Sequence, residues 1–255
     1  MLEFDAQVLG SWLGGVLWPF LRIGAFCMVA PVIGTQLVPA RVRLLFALVL
    51  TVILVPVLPQ APAIELLSPA AFVVAAQEIL VGVALATALQ LLLHVFVMAG
   101  QMMAMQMGLG FASMVDPANG ISVTVMSQLY LMIVTLLFLA VDGHLAMIQV
   151  LSESFSALPV AAAPSASLPW LLVSQGSWMF VAAALLALPA ITALLVVNIS
   201  LGIVTRAAPQ MNIFAVGFPM MLVFGVVVVW LTLGAVGPHF MRLTEDTLLL
   251  MRALV

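Results

Sequence analysis

AAFVVAAQEILVGVALATALQLLLHVFVMAGQMMAMQM, residues 70–107, decides the fold. A membrane-spanning helix needs about 20 mostly apolar residues, and this run is too long for one perpendicular crossing. Thr87, Gln90, His94 and Gln101 recur along it at steps of three, four and seven. At about 100° per residue those positions fall on one face, so the run reads as a helix with a polar seam on an apolar body. Glu78, beside Gln77, lies near its start.

Outward from this run the same apolar character repeats. Further segments run roughly from Val8 to Ala30, Leu44 to Leu58, Ile121 to Leu151, Trp170 to Val204 and Ile213 to Val236. The Leu44 segment is short for a full span. Turn chemistry separates them: Pro31, Gly34 and Pro39; then Pro56, Pro59, Pro62 and Pro69; then Gly108, Gly110, Asp116, Pro117 and Gly120; then Pro159, Pro164 and Pro169; then Pro209 and Asn212. Proline removes a backbone donor and glycine frees the backbone, so each cluster ends a helix. Pro189 and Pro219 fall inside apolar runs and are expected to kink helices. A polar tail, residues 237–255, closes the chain, and its Thr244-Glu245-Asp246 run suits the start of a short amphipathic helix. The expected fold is all-α: a polytopic helical membrane protein with about six hydrophobic segments, several kinked or forming hairpins. It is expected to be one membrane domain over residues 1–255, without internal repeat.

Composition sets the class. Of 255 residues, 66% are hydrophobic and 6% charged, against about 25% charged in a soluble domain. The mean hydropathy is +1.36. Too few polar side chains remain to cover a water-facing surface. The net charge of −3 comes with no basic cluster to hold a nucleic-acid backbone. Cys27 is the single cysteine, which excludes an intrachain disulfide and a cysteine-rich metal site. Acids at Glu3 and Asp5 do not suit the positive start of a cleaved signal peptide, so the first apolar stretch reads as a retained span. Arg41 and Arg43 favour a cytoplasmic first loop, but strict alternation divides the remaining arginines, Arg206 against Arg242 and Arg252, so orientation is weakly determined.

Polar groups inside apolar helices are costly and face protein or water. The Ile121 segment repeats the seam pattern with Thr124, Gln128, Thr135 and Asp142. Two readings stand for both seams: hydrogen bonds to neighbouring helices, or the lining of a water-filled conduit. Glu78 fits either a proton carrier or an acid held by a partner's arginine or a helix N-terminus. Asp142-Gly143-His144 has no accompanying nucleophile or metal-ligand set, Gly108-Leu-Gly110 lacks a third glycine and a preceding strand, and a chain without lysine has no Walker lysine. The chain is therefore not expected to be an enzyme or to carry a metal or cofactor. The run QMMAMQM, residues 101–107, sets four methionines beside a glycine-rich loop. Flexible thioethers there suit ordinary helix packing or a deformable seal near a pore. Leu109, Phe111, Met114 and Val115 make residues 108–120 too apolar to sit comfortably in water, so the loop is expected to pack into protein or plug something.

Three stretches then carry a resemblance: QMGLGFASMVDP at 106–117, followed by Ser127-Gln128; FLAVDGH at 138–144, continuing to Ser154-Phe155 and Pro159; and TRAAPQMNIFAVGFP at 205–219. With Arg41-Val-Arg43, and in order along nearly the whole chain, they resemble the FliR family, the R subunit of the flagellar type III export gate. The virulence type III secretion homologues of the SctT type are related but less similar to these strings. The resemblance implies a hetero-oligomer with FliP and FliQ, not a homo-oligomer, in the bacterial inner membrane at the flagellar basal body, sitting largely above the bilayer plane. FlhB wraps onto that gate and FlhA delivers substrate below it. Unfolded flagellar subunits pass through its centre, and nucleic acid plays no part. It also implies that a loop plugs the closed channel, here Gly108, Leu109, Gly110, Phe111, Met114 and Val115, with Phe111 and Met114 as blocking side chains. Arg206, in a polar turn, is assigned to holding a hairpin or a partner subunit. Small-solute secondary transport is the alternative from another class; the prolines at 189 and 219 favour it slightly, while the missing repeat weighs against it.

Overall fold

The computed structural model describes residues 6–35, 38–62, 64–65, 68–110, 124–208 and 213–254. Among them the elements are helices: α1 (Ala6–Val29), α2 (Ala40–Leu54), α3 (Pro69–Gln106), α4 (Val125–Ala140), α5 (Gly143–Ala157), α6 (Leu168–Ala207), α7 (Ile213–Thr232), a 3-10 turn (Leu233–Ala235) and α8 (Val236–Ala253). The chain is thus an all-α protein, and among the described residues three helical stretches are long and apolar enough to cross a membrane: α3, α6 and Val216–Ala253.

Local chemistry sets the ends. Pro69 opens α3 at the position where its missing N–H costs nothing, and the Ser68 hydroxyl accepts the Ala71 N–H at 3.3 Å. The Thr124 side chain accepts the Ser127 N–H at 3.3 Å and caps α4. α5 stops just before Leu158-Pro159, as the restriction on a residue preceding proline requires. Pro19, Pro189 and Pro219 all lie within continuous helices.

Two expectations need correction. The apolar stretch from Ile121 to Leu151 is not one helix, because α4 ends at Ala140 and α5 begins at Gly143. Between them Asp142 takes the left-handed conformation, φ 55°, a region that short polar side chains tolerate and helices do not continue through. The terminal residues likewise form more than a short helix. α8 already starts at Val236 and buries Val236, Phe240, Leu243, Thr247, Met251 and Leu254 at steps of three and four. The apolar stripe of an amphipathic helix has this period, and it was hidden by the polar residues between.

The helices group into two compact units. The first comprises residues 1–91, 142–175 and 245–255. α2 packs on α1 there, and their connection is stapled by Arg43, which donates to the carbonyls of Val38, Met28 and Gly34 at 3.1, 3.3 and 3.4 Å. Arg43 is therefore occupied internally, a use that charge counting over loops does not register. Its core includes Trp18, Ile23, Phe26, Leu85, Leu89 and Phe155.

The second unit comprises residues 92–141 and 176–244. The end of α3 forms its interior through Leu92, Phe96, Ala99, Met103 and Met107. Phe96 meets Phe240 with ring centroids 5.8 Å apart, and the Tyr130 hydroxyl donates to the Met103 sulfur at 3.6 Å. α3 and α4 touch backbone to backbone at Gly100, where an added Cβ would stand 2.9 Å from the Met126 carbonyl oxygen and from the Ser127 Cα. Gly100→Leu should force those helices apart and cost about 1–3 kcal/mol, read as a lower unfolding midpoint in detergent. Gly176→Ala, where a Cβ meets nothing within 4 Å, should be neutral. Equal midpoints for the two variants would refute this close approach.

Candidate functional site

The apolar segments bring few charges with them, and the first unit uses two of them together. Arg22, in the second half of α1, and Glu78, in the third turn of α3, are 0% and 1% exposed. Arg22 Nε donates to Glu78 Oε2 at 2.7 Å and Nη2 to Oε1 at 3.1 Å, a forked pair. Nη1 donates to the Ser154 carbonyl at 3.0 Å and to its hydroxyl at 3.2 Å, and Nη2 also donates to the Leu158 carbonyl at 2.9 Å. All five guanidinium N–H groups are thus used. The plane also lies 4.2 Å from the Phe155 ring centroid, a favourable cation–π distance.

Sequence dictates why the node sits there. Ser154 lies in the last turn of α5 and Leu158 caps it, donating its N–H to the Ser154 carbonyl at 2.9 Å; the negative end of the helix dipole collects there. Arg22 both neutralises Glu78 and caps that helix. Glycine at 82 lets α1 come close, since a Cβ there would collide with the Arg22 carbonyl oxygen and stand 3.1 Å from the Ala25 methyl. Nearby, the Gln90 amide donates to the Val29 carbonyl at 2.7 Å. On the outside, Arg252 meets Glu153 at 3.2 Å with both side chains about half exposed, a pair worth little.

Glu78 is thus held by an arginine of its own chain, whereas the sequence suggested a partner's arginine or a helix N-terminus. Arg22 escaped the sequence reading, and Ser154 entered it only as part of a motif string. Arg22 is the only formally charged residue between Val8 and Ala30, so the cost of burying charge would have asked for a partner of opposite sign.

In the second unit, Gln101 Oε1 accepts from the Ser127 hydroxyl at 3.1 Å and from the Thr124 N–H at 3.5 Å. This joins one position of the α3 seam to the start of α4. Gln128 and His94 are exposed, Asp142 is exposed at the α4–α5 break, and Arg206 is exposed in the last turn of α6. Gly108 has φ +82°, and an added Cβ there would lie 3.4 Å from the Phe218 ring; Leu109 and Gly110 are half-buried. Phe111, Met114 and Val115 lie outside the described residues. The end of α3, with α6 and α7, borders an open groove of about 540 Å³ in this unit.

Long apolar helices with a charge pair sealed inside define an integral helical membrane protein. The chain belongs to the family of bacterial export proteins, family 1, whose pattern it matches over residues 13–247. It is 39% identical over 227 residues to the flagellar biosynthetic protein FliR of Escherichia coli K12, covering 89% of this chain and 87% of that protein. It is 36% identical over 247 residues to the protein of the same name from Pectobacterium carotovorum, covering 96% and 94%. The one from Bacillus subtilis 168 is 29% identical over 205 residues, 79% of each chain. It is therefore a membrane protein of the flagellar biosynthesis and export family.

Breaking a buried pair leaves one charge stranded, at a cost of about 3–5 kcal/mol. Arg22→Met and Glu78→Leu should each sharply lower the membrane level and melting midpoint of the chain. The double variant should recover much of both. A double variant no better than the worse single would show that Arg22 and Glu78 do not act as a pair.

Proposed function

We propose that this chain is the R-type subunit of the flagellar type III export gate in the bacterial inner membrane at the basal body. With FliP and FliQ it forms the channel for unfolded flagellar subunits, FlhB and FlhA serve the same apparatus, and the chain performs no catalysis of its own. The observation that carries this reading is the match to flagellar FliR proteins across nearly the whole chain. Those names favour flagellar use over a virulence secretion gate of the SctT type.

Physical features support assembly with other subunits. α3 and α6 contain 38 and 40 residues, or roughly 57 and 60 Å at 1.5 Å per residue, about twice the hydrocarbon thickness of roughly 30 Å. Apolar surface along such helices exceeds what one bilayer covers. Of the most apolar window in α6 only 28% is buried within the chain, and in Val216–Ala253 only 22%. Helices of partner subunits are a natural cover for the remainder.

A conduit for unfolded chains must bind no sequence tightly and still exclude ions when idle. The apolar loop following Gly108 is the proposed plug. Its Leu109, Phe111, Met114 and Val115 close by contact without directional bonds and yield under a passing chain. Gly108, already at φ +82°, adopts a conformation that costs other residues about 1–2 kcal/mol and suits a hinge. Deleting residues 109–115 should open an ion leak in cells whose gate still assembles, with hook or filament subunits still exported. Normal ion tightness and normal secretion from a fully assembled gate would remove the plug assignment.

A further inference from the structure

We propose that α2 is a lipid-facing helix and that Arg41, at its start, holds the phosphate of an anionic phospholipid. The proposal needs the chain to be a membrane protein and is independent of the export-gate reading.

α2 sorts its residues by size. It packs on α1 and buries Ala47, Leu50 and Thr51. The Thr51 hydroxyl is satisfied within the helix, donating to the Ala47 carbonyl at 2.7 Å. At 100° per residue, the exposed positions from Arg41 to Ile53 fill the opposite side, an arc of about 200°. Leu45, Val49, Val52 and Ile53 on that arc are 56% to 63% exposed. Every side chain on it is a large hydrocarbon except Arg41.

Three observations choose lipid as the occupant. Helices that pack together in a membrane meet through small residues; the small residues Ala47 and Thr51 are buried and the free side offers none. That side is also about twice as wide as the roughly 100° stripe by which a helix packs on one neighbour, whereas fluid acyl chains conform to a smooth surface of any width. Water is excluded by contrast within the same unit: exposed positions of α8 carry Glu245, Asp246 and Arg252, while α2 has no acid and no amide.

Length and charge agree. The turn after α2 stays hydrogen-bonded, with Val57 and Leu58 both donating to the Leu54 carbonyl, at 2.8 and 3.1 Å. At 1.5 Å per residue, Ala40 to Leu58 cover up to roughly 28 Å, close to the roughly 30 Å of bilayer hydrocarbon. Arg43 is satisfied by three carbonyls. Arg41 is exposed and enters neither ion pair found among the described residues. A guanidinium at the end of a hydrocarbon face extends toward the headgroups, where phosphate oxygens fit its planar fork.

The test uses the full-length chain, with any subunits that co-purify, in bilayers containing phosphatidylglycerol. Cys27, which is buried, is replaced by alanine, and nitroxides are attached at Val49→Cys and Val52→Cys, with Asp246→Cys on α8 as the aqueous control. Collisions with molecular oxygen should exceed those with a water-soluble nickel chelate at least threefold at 49 and 52, the reverse of the order at 246. Arg41→Gln should lower the phosphatidylglycerol retained per chain through purification two- to fivefold, read by lipid mass spectrometry, and Arg41→Lys should retain most of it. Nickel-dominated collisions at 49 and 52 would place α2 in water, and few collisions with either reagent would place it beneath protein; either result overturns the proposal. Unchanged lipid retention in Arg41→Gln would overturn the phosphate site. If Arg41→Gln depletes the chain, a nitroxide at Val42→Cys beside the native arginine decides: strong relaxation of lipid phosphorus nuclei supports the site, and none removes it.

Discussion

The sealed Arg22–Glu78 pair is the constraint from which the first unit follows. A guanidinium at 0% exposure is tolerable only when its charge and every donor are met. Meeting them requires three helices to converge: α1 for the arginine, α3 for the carboxylate, and the end of α5 for the carbonyls of Ser154 and Leu158. Glycine at 82 supplies the close approach, and Phe155 closes over the guanidinium face. Such a pair adds little net stability over a well-packed apolar substitute. What it adds is specificity, since a shifted helix register strands a charge, whereas a shifted register among leucines and valines costs far less.

In lipid, this kind of polar specificity carries more of the folding information than it does in water. Lipid tails are as apolar as leucine, so apolar burial alone does not choose between helix–helix and helix–lipid contact. The chain answers with a few polar ties and a few close approaches: Gln90 to the Val29 carbonyl, Arg43 to three loop carbonyls, Gln101 to Ser127, and Gly100 against the α4 backbone. Between them stand broad apolar faces, most of all on α6 and α7.

Those faces connect the fold to the proposed function. A conduit for unfolded chains needs a wall that assembles firmly and a lumen that grips nothing. Apolar outer faces suit the first demand. Methionines and glycines at the end of α3 suit the second, because they give shape without direction.

Much of this was legible in the residues alone. Hydropathy and the scarcity of charge determined that the chain is a helical membrane protein, since in lipid only helices and closed barrels satisfy the backbone, and apolar runs this long lack the alternation of barrel strands. Prolines and glycines placed most helix ends to within a few residues, and three motif strings pointed to the family. Tertiary structure decided the rest. Glu78 announced itself as costly, but one dimension does not say that its partner lies 56 residues earlier at Arg22. Periodicity ran through Asp142 because hydropathy does not sense a left-handed residue. α8 looked polar because its mean hid a regular buried stripe. Sequence records the cost of each group, and only the three-dimensional chain shows which neighbour relieves it, because hydrogen bonds and ion pairs form across helices whose separation along the chain carries no trace of their contact.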